Sequence, residues 1–184
     1  MTTSLVNLRS RRALAGAALT AACVAVSIPA ATAATPATVR PAVASCATSQ
    51  LRAGMGSSEG SAGAIYTAIN FTNTSGSTCS LYGFPGVSLS EGSPYTPVGM
   101  SAAWNSNSTK VLVTLAPGAT ANAVLKIADA YNFPTPPCDP TNTTYLVVYP
   151  PNNSVPIHLK FSAVTCAGPV QTLTADAVQA GASS

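Results

Sequence analysis

Four cysteines in the last 140 or so positions constrain the fold of this chain more than any other feature. They are Cys46, Cys79, Cys138 and Cys166, and a fifth, Cys23, lies apart from them near the N-terminus. An even set of cysteines in a small exported domain is typical of disulfides. Three pairings are possible, and we favour the one between sequence neighbours because it suits two hairpin-like halves. The predicted disulfides are Cys46–Cys79 and Cys138–Cys166.

The export that such disulfides need is indicated by the first 33 residues. Arginines precede an uncharged, alanine-rich run over residues 13–28, which is shorter than the roughly 20 residues needed to span a bilayer. The small-residue triplet Ala31-Thr32-Ala33 follows and predicts cleavage after Ala33. The rival interpretation is an uncleaved N-terminal anchor. We interpret residues 1–33 as a signal peptide and expect a secreted mature chain without a transmembrane helix.

The route of export is open at this stage. Arg11-Arg12 look like part of a twin-arginine signal, but arginine pairs also occur in ordinary secretory signals. Cys23 is a candidate lipid-bearing cysteine, although Thr20 stands where an aliphatic residue is expected. The sequence therefore predicts secretion, with a place at the cell wall as one outcome.

Removal of the signal peptide also removes the net charge. The full chain has a formal net charge of +3, and its three N-terminal arginines lie within residues 1–33. The five basic residues that remain equal the five acidic ones in number. Because no basic footprint is left, the mature chain is not expected to bind nucleic acid.

Composition divides the mature chain into three parts. Residues 34–45 are mostly Ala, Pro, Thr and Val, which predicts a flexible linker. Residues 46–170 have the length and patterning of one domain. Residues 171–184 are predicted to be a loose C-terminal tail.

Strand patterns dominate the middle part. Short apolar or alternating segments recur along it: 65–71, 87–90, 110–115, 121–127, 145–149 and 155–161. The turn sequences Pro117-Gly118 and Pro150-Pro151-Asn152-Asn153 each separate two of them and predict two hairpins. Helix signals are poor. We expect an all-β fold, an antiparallel immunoglobulin-like β-sandwich braced by two disulfides.

Several stretches, taken together, resemble a known family. The most specific runs from Cys79 to Val87, with the sequence Cys-Ser-Leu-Tyr-Gly-Phe-Pro-Gly-Val, and the turn Leu115-Ala116-Pro117-Gly118 supports it. With Cys46 and the two late cysteines, these stretches resemble the domain of unknown function 4232 family of exported actinobacterial proteins. The resemblance spans residues 46 to about 166 and implies an extracytoplasmic β domain without an assigned activity. The lipobox of lipid-anchored members is missing.

The mature chain offers little for catalysis. His158 is its only histidine and lies on the polar side of a predicted strand, and no serine lies in a Gly-x-Ser-x-Gly elbow. The acidic residues are scattered over different segments, and no Cys-x-x-Cys occurs. The glycines between residues 54 and 63 predict a surface loop, since no phosphate-binding lysine follows. We expect no enzymatic activity, no cofactor and no metal.

A lone tryptophan is the best candidate for a binding residue. Trp104 lies in a polar stretch with Asn105 and Asn107, where it could stack on a sugar or on a partner. Burial against the sheet is the commoner fate of such a residue. The favoured function is a secreted binding or interaction domain at or outside the cell envelope, whose partner is a cell-wall polymer or another exported protein.

Two other functions are weighed beside this one. The segment Asn132 to Cys138 is rich in proline and tethered by a cysteine, which suits an inhibitor of an exported protease. A hydrolase would have to bring His158 together with an acid and a serine.

Overall fold

The alternating segments of the sequence form strands, which pair into sheets because alternation places their apolar side chains on one face. The computed structural model describes residues 42–183. The signal peptide predicted over residues 1–33 and linker residues 34–41 lie outside this range.

The described residues contain strands and two short 3-10 helices, Thr48–Gln50 and Ala130–Asn132. No helix among residues 42–183 has the length and apolar character to cross a membrane. The strands, in chain order, are β1 (Leu51–Ser61), β2 (Ala64–Asn73), β3 (Cys79–Tyr82), β4 (Gly86–Ser90), β5 (Pro97–Val98), β6 (Ala103–Trp104), β7 (Leu112–Leu115), β8 (Thr120–Ala128), β9 (Pro140–Tyr149), β10 (Ile157–Cys166), β11 (Leu173–Ala175) and β12 (Gln179–Ala180).

These strands form three sheets. The largest has the order β1-β2-β8-β11-β6, with β12 also paired to β8. The second has the order β10-β9-β4-β5, and β3 pairs with β7 in a small third sheet. The named strands pair antiparallel except for β11 with β6, which are parallel. The prediction of an all-β chain with antiparallel sheets is confirmed, and the immunoglobulin-like topology stays a prediction.

One apolar core joins the three sheets. Its largest buried side chains include Ile69 and Phe71 (β2), Leu81 (β3), Leu89 (β4), Leu125 (β8) and Leu146 (β9). Full burial of such a side chain contributes about 1.5–3 kcal/mol. Because every sheet supplies part of this core, the sheets pack against one another in a sandwich-like arrangement.

The two disulfides have the predicted pairing, which is confirmed. Cys46–Cys79 ties the segment before β1 to the start of β3, and Cys138–Cys166 ties the segment before β9 to the end of β10. All four cysteines are buried. The bonds close loops with sequence separations of 33 and 28 residues. Each therefore stabilises the fold by about 3.5 kcal/mol on the chain-entropy account.

One of the two predicted hairpins is wrong. β9 and β10 pair across the Pro150–Asn153 turn as expected. β7 pairs with β3, and β8 pairs with β2, so the Pro117-Gly118 turn carries the chain from the small sheet into the large one. A Pro-Gly turn can reverse the chain within one hairpin or between two sheets. Packing in the core determines which strand each of its neighbours pairs with.

The expected surface loop over the glycines at 54–63 is also wrong, because most of it is strand. β1 forms an edge of the large sheet and pairs with β2 along its length, with a bulge between Met55 and Ser58. The backbone hydrogen bonds to β2 hold a segment whose own side chains give no strand pattern.

The prediction of a loose tail over residues 171–184 is wrong for the described part. β11 pairs with β8, and Leu173 and Ala175 enter the core. Farther on, Ser183 exchanges hydrogen bonds with the side chain of Asn70. The end of the predicted linker is ordered too, since Ser45 bridges to Ser80. Neither segment shows a clear alternation in the sequence, and pairing with neighbouring strands fixes them in place.

Candidate functional site

The segment with the most specific family resemblance forms a bend between two sheets. β3 ends at Tyr82, and Gly83 has a φ of +96°, a conformation that favours glycine. The bend places Phe84, which is half-buried, between β3 and β4. Gly86 then pairs with Tyr149 and lies under its side chain, where a Cβ atom would be 3.4 Å from that of Tyr149. The bend thus brings three aromatic side chains to one end of the two sheets.

Trp104 reaches the same place from the large sheet. It belongs to β6, and its backbone is held in register with Ala175 of β11. Its side chain is 67% exposed, so the alternative in which it is buried against the sheet is wrong. A short, paired strand therefore presents a large indole ring to solvent from a fixed backbone.

A stack of three side chains forms where these elements meet. The rings of Phe84 and Trp104 are nearly parallel, with an interplanar angle of 9° and centroids 5.4 Å apart. The ammonium nitrogen of Lys110 lies 5.9 Å from the centroid of the Phe84 ring. Such a cation–π contact is worth about 0.5–1 kcal/mol at an exposed site. The stack therefore restrains both the indole ring and the ammonium group.

An open groove of about 430 Å³ runs beside this stack. Tyr82, Tyr149 and Asn152 line it together with Phe84, Trp104 and Lys110. Its volume falls in the range of about 300–1,000 Å³ that small-ligand sites occupy. We call this surface the aromatic groove. It combines flat apolar rings with hydroxyl, amide and ammonium groups, which is the chemistry needed to bind an amphipathic ligand.

Hydrogen bonds from the hairpin turn brace one wall of the aromatic groove. The Asn152 amide donates to the carbonyl oxygen of Tyr82 at 3.2 Å. The neighbouring Asn153 amide donates to the carbonyl oxygen of Cys46 at 3.0 Å, and its side-chain oxygen accepts from the backbone of Thr48 at 3.0 Å. The turn is thus fixed to the disulfide-bonded segment, and the groove is largely preformed.

Of the three predicted binding residues, Trp104, Asn105 and Asn107, only Trp104 lines the aromatic groove. The Asn105 amide donates to the carboxylate of Asp176 at 2.7 Å, and its oxygen accepts from the backbone of Asn107 at 3.1 Å. Asn105 therefore supports the loop. Asn107 is exposed but does not line the aromatic groove.

The other groove residues were missed because they come from three separate segments. Tyr82 and Phe84 lie in the stretch from Cys79 to Val87, which the sequence analysis used only for the family resemblance. Two aromatic residues around a glycine are a signal that could have pointed to the site. Lys110, Tyr149 and Asn152 gave no such signal.

A larger cavity, of about 570 Å³, lies elsewhere in the fold. It is lined by parts of β1, β2, β8 and β10, with Ile65, Ile127 and Val164 among its apolar residues. Its one acidic side chain among the described residues, Asp129, caps the second 3-10 helix by accepting from the backbone of Tyr131 at 3.0 Å. Few polar groups remain there to orient a ligand, so the aromatic groove is the stronger candidate.

His158 is exposed on the second sheet, and its ring stacks on that of Tyr95 with centroids 3.9 Å apart. Tyr95 in turn meets Tyr145 edge to face at 5.2 Å. Residues 42–183 contain no cluster of three or more His, Cys, Asp or Glu side chains that could hold a metal ion.

The segment predicted as an inhibitory loop is a closed turn. The backbone N–H of Cys138 donates to the carbonyl oxygen of Pro134 at 3.1 Å, and residues 134–137 are exposed. The backbone therefore folds back on itself before it reaches the buried disulfide.

Comparison with known proteins gives a family match. The model of a family described as "Domain of unknown function (DUF4232)" matches residues 46–179. No curated protein and no solved structure matches the chain. The matched range contains both disulfides and all of the residues named above for the aromatic groove.

Proposed function

Because the chain belongs to the DUF4232 family, whose description names no activity, we propose a function from the aromatic groove: a secreted, non-enzymatic binding domain that holds a cell-wall polymer. It acts at or outside the envelope of an actinobacterium. Trp104, exposed and held parallel to Phe84, is the observation that carries this proposal.

Secretion is supported by two independent features. Residues 1–33 have the three-part pattern of a signal peptide. Both disulfides are buried and link distant parts of the chain, and such bonds persist in oxidising compartments outside the cytoplasm.

Binding is supported by the exposure and rigidity of the aromatic groove. Exposed aromatic surface that is held in place commonly marks an interaction site, since its hydration is lost when a ligand covers it. Pairing of β6 and stacking on Phe84 fix Trp104 before any ligand arrives. Little conformational entropy is then lost on binding.

A non-enzymatic role is supported by the contacts of the groups that catalysis would use. His158 stacks on Tyr95, Asp129 caps a 3-10 helix, and Asp176 accepts a hydrogen bond from Asn105. Each of these side chains supports the fold locally. A polymer-binding domain needs none of them for chemistry.

Sedimentation with purified cell wall tests the proposal. The secreted protein, with its disulfides formed, is mixed with washed actinobacterial wall and spun down, and the free fraction is measured. We expect wild type to sediment and Trp104→Ala to bind at least about tenfold more weakly, since about 1.4 kcal/mol is lost with a stacking ring. Tyr131→Ala is the matched control, because Tyr131 is similarly exposed but lines the other cavity. Failure of wild type to sediment, or equal binding of both variants, would contradict the proposal.

Inhibition of an exported protease is the second candidate. The exposure of residues 134–137 and their tether at Cys138 favour it. The closed turn argues against inhibition, because a protease cleft binds an extended segment that adds a strand to an edge of the protease's sheet. Lack of inhibition of serine proteases at equimolar protein would exclude it.

A further inference from the structure

The charge of the aromatic groove restricts the kind of polymer that fits. Among the described residues that line it, Lys110 is the one charged side chain. Its ammonium group contacts the Phe84 ring, an interaction that positions the charge without neutralising it. The aromatic groove therefore presents a positive charge next to its aromatic surface.

This charge excludes a cationic ligand. Aromatic side chains alone attract quaternary ammonium groups, and sites for such ligands are cages of aromatic rings. Here the ammonium group of Lys110 is held against the Phe84 ring, and it repels a ligand cation that binds close to it. An anionic group is attracted.

The aromatic rings determine the rest of the ligand. Phe84 covers one face of the Trp104 ring, and the high exposure of the indole leaves its other face to solvent. A pyranose ring presents a flat array of C–H groups that packs on such a face, and its hydroxyls need polar partners. Tyr82, Tyr149 and Asn152 supply hydroxyl and amide groups along the aromatic groove.

We infer that the aromatic groove binds an acidic glycan, in which a pyranose ring stacks on Trp104 while a carboxylate or phosphate of the same chain pairs with Lys110. This inference rests on the proposed function and names its ligand class. Trp104 supplies affinity for any sugar chain, and Lys110 selects anionic ones. Since the ion pair lies at an open surface, salt weakens it.

Binding to defined polysaccharides tests the inference. The secreted protein is titrated with polygalacturonate (carboxylate), phosphomannan (phosphate) and dextran (neutral), each at about 20 mM and 200 mM salt. We expect at least one acidic polymer to bind about tenfold more tightly than dextran at low salt, and the difference to shrink at high salt. The acidic polymer that binds identifies the anionic group.

Two lysine variants distinguish the effect of the Lys110 charge from the effect of losing any one positive charge. Lys110→Gln should weaken binding of the acidic polymer about five- to tenfold and remove most of the salt dependence. Lys126→Gln is the control, because the Lys126 ammonium lies 5.8 Å from the Tyr66 ring, a similar contact on a different ring. Its binding should equal that of wild type.

The outcomes distinguish the inference from the proposed function. Equal binding of acidic and neutral polymers, or no effect of Lys110→Gln, overturns the inference. So does sedimentation of the protein with cell wall without binding to either acidic polymer. In those cases the proposed function stands, whereas it fails if the wall does not bind wild type or if Trp104→Ala binds the wall as tightly as Tyr131→Ala does.

Discussion

The indole ring of Trp104 lies parallel to the phenyl ring of Phe84, with their centroids 5.4 Å apart. Trp104 belongs to the edge strand β6 of the large sheet, and Phe84 lies in the bend that leads into β4 of the second sheet. The stack therefore spans the two sheets, and the aromatic groove depends on how they pack.

Removal of the Phe84 ring that supports Trp104 should weaken binding to cell wall without unfolding the protein. Phe84→Leu keeps an apolar side chain but leaves Trp104 and Lys110 without the ring they contact, so we expect wall binding to fall about five- to tenfold. Phe84→Tyr keeps the ring and should bind as wild type does. Sedimentation measures binding, and near-ultraviolet circular dichroism reports the order of Trp104. Equal binding by both variants would show that Phe84 does not position the indole.

Asn73 should be important for stability. Its side chain is 0% exposed and donates to the carbonyl oxygens of Ser77 and Leu115 at 2.8 and 3.0 Å. Asn73→Ala leaves the Leu115 carbonyl without this donor, and we expect a loss of about 2–4 kcal/mol in the free energy of unfolding. Asn107→Ala, at an exposed position, should change it by less than about 0.5 kcal/mol. Urea unfolding measures both, and similar midpoints would contradict the role of Asn73.

Thr67 offers a stabilising substitution. Its hydroxyl oxygen is buried and has no hydrogen-bond partner among the described residues. Thr67→Val replaces the hydroxyl with a methyl group of similar size, and we expect a gain of about 1 kcal/mol. Thr165→Val should have the opposite effect, because the Thr165 hydroxyl shares a buried hydrogen bond of 2.6 Å with Thr172. Thermal unfolding of the two variants gives the sign directly, and a loss of stability in Thr67→Val would mean that its hydroxyl has a partner.

The second disulfide should contribute much of the stability. The double variant Cys138→Ala/Cys166→Ala removes the constraint on a sequence separation of 28 residues, and we expect a loss of about 3.5 kcal/mol. That is a large share of the roughly 5–15 kcal/mol typical of a folded domain. Reduction of the disulfides in wild type should also lower the unfolding midpoint. An unchanged midpoint in the double variant would contradict the expected loss of stability.

Alternation of apolar and polar residues predicted the strands with long, regular patterns. β2, β8 and the β9–β10 hairpin were identified because their inward positions carry large apolar side chains such as Ile69, Leu125 and Leu146. β1 was missed because glycine and serine fill it, and β11 because three residues show no period. The pairing of β7 with β3 depends on packing in the core, which the residues of the Pro117-Gly118 turn do not indicate.

The aromatic groove could be predicted only in part. Trp104 was identified from its type and its polar surroundings, but its neighbours Phe84 and Lys110 come from different segments of the chain. Asn105 was grouped with it by sequence proximity, whereas the fold directs its amide to Asp176. Which side chains share a surface is decided by the sheet packing.

The fluorescence of Trp104 tests the central claim most directly, because this residue is the only tryptophan in the chain. The secreted protein is titrated with soluble glycan fragments released from actinobacterial cell wall, and binding is followed in parallel by calorimetry. If the aromatic groove is the binding site, the emission shifts to shorter wavelength and saturates at the same ligand concentration as the heat. Saturable heat with unchanged emission would place the ligand elsewhere on the protein and contradict the claim.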